Sequence, residues 1–490
     1  MHKARPDGVP GFLFYDYETF GTQPARDRIA QFGAILTDEN LNPIAEPEIF
    51  YCQPAMDMLP HPEACLLTGI TPQKAQFEGY SEWEFAHRIN ELMSRAETCT
   101  LGYNSFRFDD EFTRYLFYRN AIDPYAREYK NGNSRYDLID LVRLCYALRP
   151  DGIAWPQHED GRPSFKLEDL TQANGIEHSG AHDALADVYA TIEVAKLIKQ
   201  HQPKLWQWAL GLRDRYQVDE LLDQGKPLIH SSSRFPSAHG GTSLVLPIGA
   251  HPKIRNQHVV FNLRHSPELF LTLPLGELKD YLYTPSSDLP EGSERLPIKT
   301  IKTNRAPVLA PMATLKGVDH ARIDLDLDRC LQYAEQLKTC QDLKARIHAL
   351  FEQAPWPASD DPDAALYEGF IDYGDRRLLG EFQLSPREQW SELENKLGDA
   401  RLPEVMFRTR ARSFPESLNQ EEHQRWEQYR YERLYLTRGG ASIQLSDYQT
   451  RIDELRQQGA DTQILDELSA WPSTLRVQAL EQQYGSGEAK

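Results

Sequence analysis

Asp16, Glu18, Asp109, His182 and Asp187 are the residues whose types and spacing can do chemistry in this chain. The first two lie in FLFYDYE (residues 12–18), an apolar, aromatic run that reads as a core β-strand. A strand has period two, so Asp16 and Glu18 project from the face that carries Phe12 and Phe14. Two carboxylates on a buried face are costly unless a cation compensates them. A hard divalent ion with oxygen ligands meets that need.

The other three residues come from later segments. GYNSFRFDDE (102–111) reads as a strand end, a loop and a helix start, with Asp109 at that start. Asp110 is its rival, because either carboxylate suits a helix cap. HDALAD (182–187) opens a further helix. If that helix begins at Asp183, His182 sits in the preceding loop and Asp187 a little over one turn inside, able to face the same sheet edge. Singly, these are ordinary capping or solvated residues; jointly, they form a pattern. Four carboxylates can hold two Mg²⁺ or Mn²⁺ ions about 3.5–4 Å apart, which acidify a water and stabilise a leaving 3′ oxygen. A histidine titrating near neutrality can accept the water's proton. The implied reaction is phosphodiester hydrolysis without a covalent nucleophile.

The elements that must position these groups follow from texture. Residues 29–36 and 48–52 read as further strands, with helices after Thr71 and Pro72 and over 109–118. A Pro-, Gly- and acid-rich loop spans 150–164, and an amphipathic helix spans 183–199. Strands alternating with helices imply an α/β sheet. From 201 the pattern becomes short β-like runs at 243–248, 258–263, 269–273 and 298–309, separated by turn residues. A break at 355–363 introduces helical patterns at 386–397, 420–436, 446–458 and 461–483, before a polar tail at 485–490. At 490 residues the chain requires more than one domain. The expected division is 1–200, 201–355 and 356–490.

The net charge of −19 is unevenly spread. Residues 1–200 hold 19 Lys and Arg against 31 Asp and Glu; residues 201–350 hold 19 against 16. An acidic first segment suits a metal cluster, and the middle one is the better surface for a polyanion. The six cysteines include no Cys-x-x-Cys pair, which argues against a zinc site and fits reduced thiols in a cytoplasm. No 18-residue apolar run and no signal-peptide pattern is read, so neither a membrane span nor secretion is expected.

The five residues resemble the DEDD exonuclease superfamily in its histidine-containing branch. Carried over, Asp16, Glu18, Asp109 and Asp187 match its metal ligands, and His182 its general base. The chain is most similar to one member group, the bacterial exodeoxyribonuclease I family, which degrades single-stranded DNA from the 3′ end. The motifs are FYDYETFG (14–21), LTGITP (67–72), GYNSFRFDDE (102–111), NSRYDLID (133–140), ANGIEH (173–178), TNRAPVLA (303–310) and RARSFP (410–415). The resemblance implies an α/β, RNase H-like exonuclease domain, an SH3-like β module and a C-terminal helical domain that together form a C-shaped clamp, and hence processive digestion in DNA repair or recombination. It implies two Mg²⁺ ions, with Mn²⁺ as a substitute, and a monomer.

For the strand it implies Glu18 as a further substrate contact, Lys166 at the substrate phosphate and Leu67 as a wedge at the terminal base. Arg114, Tyr125, Arg143 and Trp208 follow along the groove, types that suit stacking and phosphate contact. It also implies a partner, the acidic, apolar C-terminal tail of single-stranded DNA-binding protein, with Arg149 a candidate contact. Three positions depart from the family pattern: Tyr136 for Trp, Lys166 for Arg and Trp208 for Tyr. Two other readings compete: an exoribonuclease of the same superfamily, which 2′-OH contacts would decide, and a non-catalytic clamp on single strands. The long β and helical additions favour the DNA enzyme, and the intact five-residue set argues against an idle clamp.

Overall fold

The run at 12–18 forms the centre of β1 (Gly11–Thr19). It pairs antiparallel with β2 (Ile29–Thr37), setting Asp16 opposite Gly33 and Glu18 opposite Gln31. β3 (Glu48–Tyr51) extends the sheet beyond β2. Three helices follow: α1 (Pro62–Thr68), α2 (Pro72–Glu78) and α3 (Glu82–Met93). β4 (Thr98–Gly102) then lies parallel to β1, giving the order β3-β2-β1-β4. α4 (Asp109–Arg119) and α3 pack Phe112, Leu116, Phe85 and Ile89 against Leu13, Tyr15 and Tyr17. The odd-numbered face of β1 is therefore helix-covered core, which leaves the even face for Asp16 and Glu18.

The structure, a computed structural model, describes residues 11–178, 180, 182–290, 294–351 and 359–485. The N-terminal stretch, residues 355–358 of the expected break and the tail from 486 lie outside the described residues. By compactness the chain divides into two units: residues 1–134, 179–189 and 357–490, and residues 135–178 and 190–356. Within the first, helices of the C-terminal segment join the sheet segment through buried charge. Asp57 and Asp363 share Arg412 at 2.8 and 2.5 Å, and Asp57 also faces Arg433 at 3.4 Å. Burial alone would raise both carboxyls, but these guanidiniums hold them well below the usual carboxylate range. Removing one partner from such a cluster strands a buried charge, at a cost of about 3–5 kcal/mol.

The second unit contains β5 (Ser134–Asp137) from its second residue, α5 (Leu138–Leu148) and α6 (Leu167–Ala173). It also takes most of α7 (Ala184–His201), followed by α8 (Pro203–Gly211) and α9 (Arg215–Asp223). Its β module comprises β6 (Leu228–Ser231), β7 (Thr242–Ala250), β8 (Gln257–Asn262), β9 (Ile298–Lys302) and β10 (Leu309–Pro311). They form an antiparallel sheet in the order β10-β6-β7-β8-β9 around Val245, Val260, Ile301 and Leu309.

Four expectations change. The run expected over 298–309 is two strands, β9 and β10, at opposite edges of the sheet. Residues 269–273 lie within a short helix, α10 (Glu268–Thr272), apart from Leu273 at its cap, because a five-residue apolar run fits either period. The helix expected over 386–397 is a 3₁₀ turn followed by a helix at Trp390–Glu394. The single helix expected over 461–483 is two, Thr462–Thr474 and Val477–Tyr484, parted by Arg476 at φ +53°. Pro472 lies inside the first of these and cannot donate to the carbonyl of Leu468. The Tyr448 hydroxyl donates to that carbonyl instead, at 2.9 Å.

Candidate active site

Carboxylate oxygens of Asp16, Glu18 and Asp187 lie within 4.8 Å of one another. β1 supplies two of them on one face, and α7 brings the third to the sheet. The helix starts at Ala184, one residue later than the sequence suggests. Asp183 is its cap: Oδ1 accepts from the N–H groups of Leu185 and Ala186, each at 3.2 Å. The Asp187 N–H bonds the Asp183 carbonyl at 3.1 Å, which sets Asp187 one turn inside. His182 stands just before the cap with φ +70°, a left-handed turn between loop and helix. Asp109 is the first residue of α4 and is buried. It falls outside the 4.8 Å set, yet its charge bears on both Asp16 and Glu18.

Electrostatics make the cluster unstable on its own. Burial is the largest cause raising the Asp16 carboxyl, followed by the charges of Asp109, Glu18, Asp187 and Asp183. Glu18 is pushed up to about 9, by burial first and then by Asp187, Asp109 and Asp183. These neighbouring charges are all anionic. Such an all-oxygen donor set, crowded and partly buried, fits a hard dication.

A pH effect follows. A carboxyl raised from about 4.3 when unfolded to about 9 when folded binds more protons in the folded state. Without metal, stability is therefore lost as pH climbs through that window. Glu18→Gln is expected to raise the metal-free melting temperature at pH 8 by about 1–2 °C per kcal/mol of repulsion relieved, and to change it little near pH 4.5. Calorimetry in EDTA at the two pH values checks this.

Asp109 and its rival are separated by their partners. Asp110 is buried, accepts the Tyr15 hydroxyl at 2.8 Å and pairs with Arg127 at 2.5 Å. Asp110 thus fastens the start of α4 to the core. Thr113 adds a second tie, meeting the Tyr17 hydroxyl at 3.0 Å and donating to the Asp109 carbonyl at 2.8 Å.

The remaining candidates are spread over both units. Leu67 is 59% exposed near the end of α1, whose stop is Gly69 at φ +68°. Arg114 is buried, pairs with Glu111 at 2.8 Å and Glu128 at 2.9 Å, and lies 5.3 Å from the Tyr125 ring centroid. A phosphate at Arg114 would compete with two carboxylates. In the second unit, Lys166 is exposed at the cap of α6. Arg143 is paired with Asp140 at 2.5 Å and faces the Phe165 ring. Arg149 and Trp208 line one cavity of about 720 Å³ with Leu148, Lys204, Pro311 and Thr314. Trp208 donates to the Leu309 carbonyl at 2.8 Å, and Arg149 to that of Thr314 at 3.2 Å. Sequence reasoning missed Gln31, whose signal was a lone amide in the apolar run at 29–36.

Three family profiles match the chain: "Exonuclease" over residues 13–195, "Exonuclease I SH3-like domain" over 213–353 and "Exonuclease I C-terminal domain" over 360–475. Exodeoxyribonuclease I of Escherichia coli is 46% identical over 422 residues, covering 86% of this chain and 89% of the relative. The crystal structure of E. coli exonuclease I in complex with a dA16 oligonucleotide has a TM-score of 0.90 at 42% identity, covering 95% of this chain and 100% of that one. A zinc-bound form of the E. coli enzyme with single-stranded DNA has a TM-score of 0.89 at 42% identity, covering 95% and 99%. The middle and C-terminal segments are thus an SH3-like module and the C-terminal domain that accompanies it, beside an RNase H-like exonuclease domain. With its three segments matched in order and a relative at this identity over most of both chains, the protein belongs to the exodeoxyribonuclease I family.

Proposed function

We propose that the chain is a Mg²⁺-dependent exonuclease that removes 5′-mononucleotides from the 3′ end of single-stranded DNA, in repair or recombination. The observation that carries this is the three-carboxylate cluster of β1 and α7. Family membership and a relative crystallised with an oligonucleotide support it. Asp16, Glu18 and Asp187, with Asp109 nearby in charge, would hold the cations. When bound, these supply charge neutralisation for the phosphoryl group in transfer.

The chain's own residues do the rest. His182, in the turn before α7, accepts the proton of the attacking water. The water oxygen bonds to phosphorus as the P–O3′ bond breaks. The leaving 3′ oxygen takes a proton from solvent water, so a 5′-mononucleotide departs and the strand keeps a free 3′-OH. Leu67 and Tyr125, in the first unit, suit contacts to the bases of the strand, and Lys166 and Arg143, in the second, carry the charge that suits its phosphates. With Mg²⁺, 3′-labelled DNA should lose its label at once, 5′-labelled DNA should shorten progressively, and RNA and blunt duplex should persist. Loss of the 5′ label first would contradict the polarity.

We also propose that the cavity holding Arg149 takes the C-terminal tail of single-stranded DNA-binding protein. Arg149 and Lys204 suit its carboxylates, and Leu148, Pro311 and Trp208 its apolar side chains. Trp208 is accordingly assigned to the tail in place of the strand. Arg149→Ala is expected to weaken binding of a labelled tail peptide at least tenfold, read by fluorescence anisotropy, while digestion of naked DNA is unchanged. The six free thiols suit a cytoplasmic location.

A further inference from the structure

Gln31 is 1% exposed, in the middle of β2 and opposite Glu18 in register. The rest of that strand, Ile29–Thr37, carries no other amide or charge. Burying an amide costs free energy unless both of its ends are hydrogen-bonded. Both ends of Gln31 reach the start of α7. Oε1 accepts the Ala184 N–H at 3.2 Å, and Nε2 approaches Asp183 Oδ2 at 3.5 Å. Asp183 uses its other oxygen to cap Leu185 and Ala186. One side chain of the sheet therefore grips both the first N–H of the helix and the residue that caps it.

The amide is matched to that task. It donates and accepts at once, so it satisfies an N–H and a carboxylate together. A carboxylate here would repel Asp183, and an ammonium could not accept from Ala184. Being neutral, the amide adds no charge beside a cluster already crowded with anions.

We infer that Gln31 is a positioning residue for the metal cluster: by fixing the start of α7 on the sheet, it holds Asp187 against Asp16 and Glu18, and His182 just ahead of them. This rests on the proposed reading of the cluster as a divalent-cation site. Gln31 touches no reacting atom in this account and acts through α7. Loss of such a supporting contact typically lowers metal affinity or activity about 10–100-fold.

The test is Mn²⁺ binding to the full-length protein without DNA, by titration calorimetry, for wild type and Gln31→Met. The Met side chain has similar volume and offers neither hydrogen bond. The variant is expected to bind Mn²⁺ about 10–100-fold more weakly and to need correspondingly more Mg²⁺ for half-maximal digestion. Its KM for the strand should stay near wild type and its melting temperature in EDTA should fall by only a few degrees, the cost of an unpaired Ala184 N–H, a split between metal and strand binding that general destabilisation would not produce. Gln31→Asn, one methylene too short to reach α7, is expected to show the same defect and decides the matter if the Met variant does not fold. Wild-type Mn²⁺ affinity in a folded variant overturns the inference. Failure of the wild type itself to bind Mn²⁺ would instead overturn the reading of the cluster on which it rests.

Discussion

Asp187→Ala is expected to digest single-stranded DNA about 10³-fold more slowly than wild type. A ligand shared with two β1 carboxylates contributes several kcal/mol to stabilising the transferring phosphoryl group, and each 1.36 kcal/mol is a factor of ten in rate. The fold should survive, because the substitution removes one of the charges that crowd Glu18. Strand binding should also survive, since most of it comes from phosphate contacts and stacking away from the cluster. Single-turnover digestion and filter binding on the same preparation separate the two. Wild-type turnover would remove Asp187 from the ligand set.

His182→Ala is expected to lose about 10²–10⁴ in rate, the usual contribution of a positioned general base. The loss should fall on the chemical step, leaving KM for the strand close to wild type. The wild-type rate should show the acid limb that general-base catalysis produces, and that limb should vanish in the variant. A variant that is slower but keeps the limb would point to another base. Its position makes the case separable from Asp187. His182 lies in the turn before the helix cap, so its loss leaves the carboxylates of β1 and α7 in place.

Much of this site is legible in the sequence because its signals are local. The period-two argument puts Asp16 and Glu18 on one face of β1, and the opposite face is indeed the core formed with Tyr15 and Tyr17. HDALAD reads as a cap and first turn because Asp183 has the chemistry of a cap. What the sequence withholds depends on distant partners. Nothing near position 110 says that Arg127 and Tyr15 will occupy its carboxylate, so spacing alone leaves Asp109 and Asp110 equivalent and only the family resemblance separates them. Arg114 has the type of a phosphate contact, yet two glutamates already hold it. Trp208 has the type of a base-stacking ring, and nothing near it in sequence says that it also walls the Arg149 cavity.

The fold divides the same way. Long periodic helices such as Gln420–Tyr435 are found within a residue of the expected bounds. The short run at 269–273 is not, because five residues cannot fix a period. The compact units are invisible in composition, since the C-terminal segment is joined to the first sheet by ion pairs such as Arg412 with Asp57, 355 residues apart in sequence.

The most direct test of the central claim is anomalous diffraction from Mn²⁺-soaked crystals of the wild-type protein. Two peaks about 3.5–4 Å apart are expected, coordinated by Asp16, Glu18 and Asp187, with Asp109 completing the set. Featureless density between those carboxylates, in crystals whose dissolved protein still digests single-stranded DNA, would contradict it.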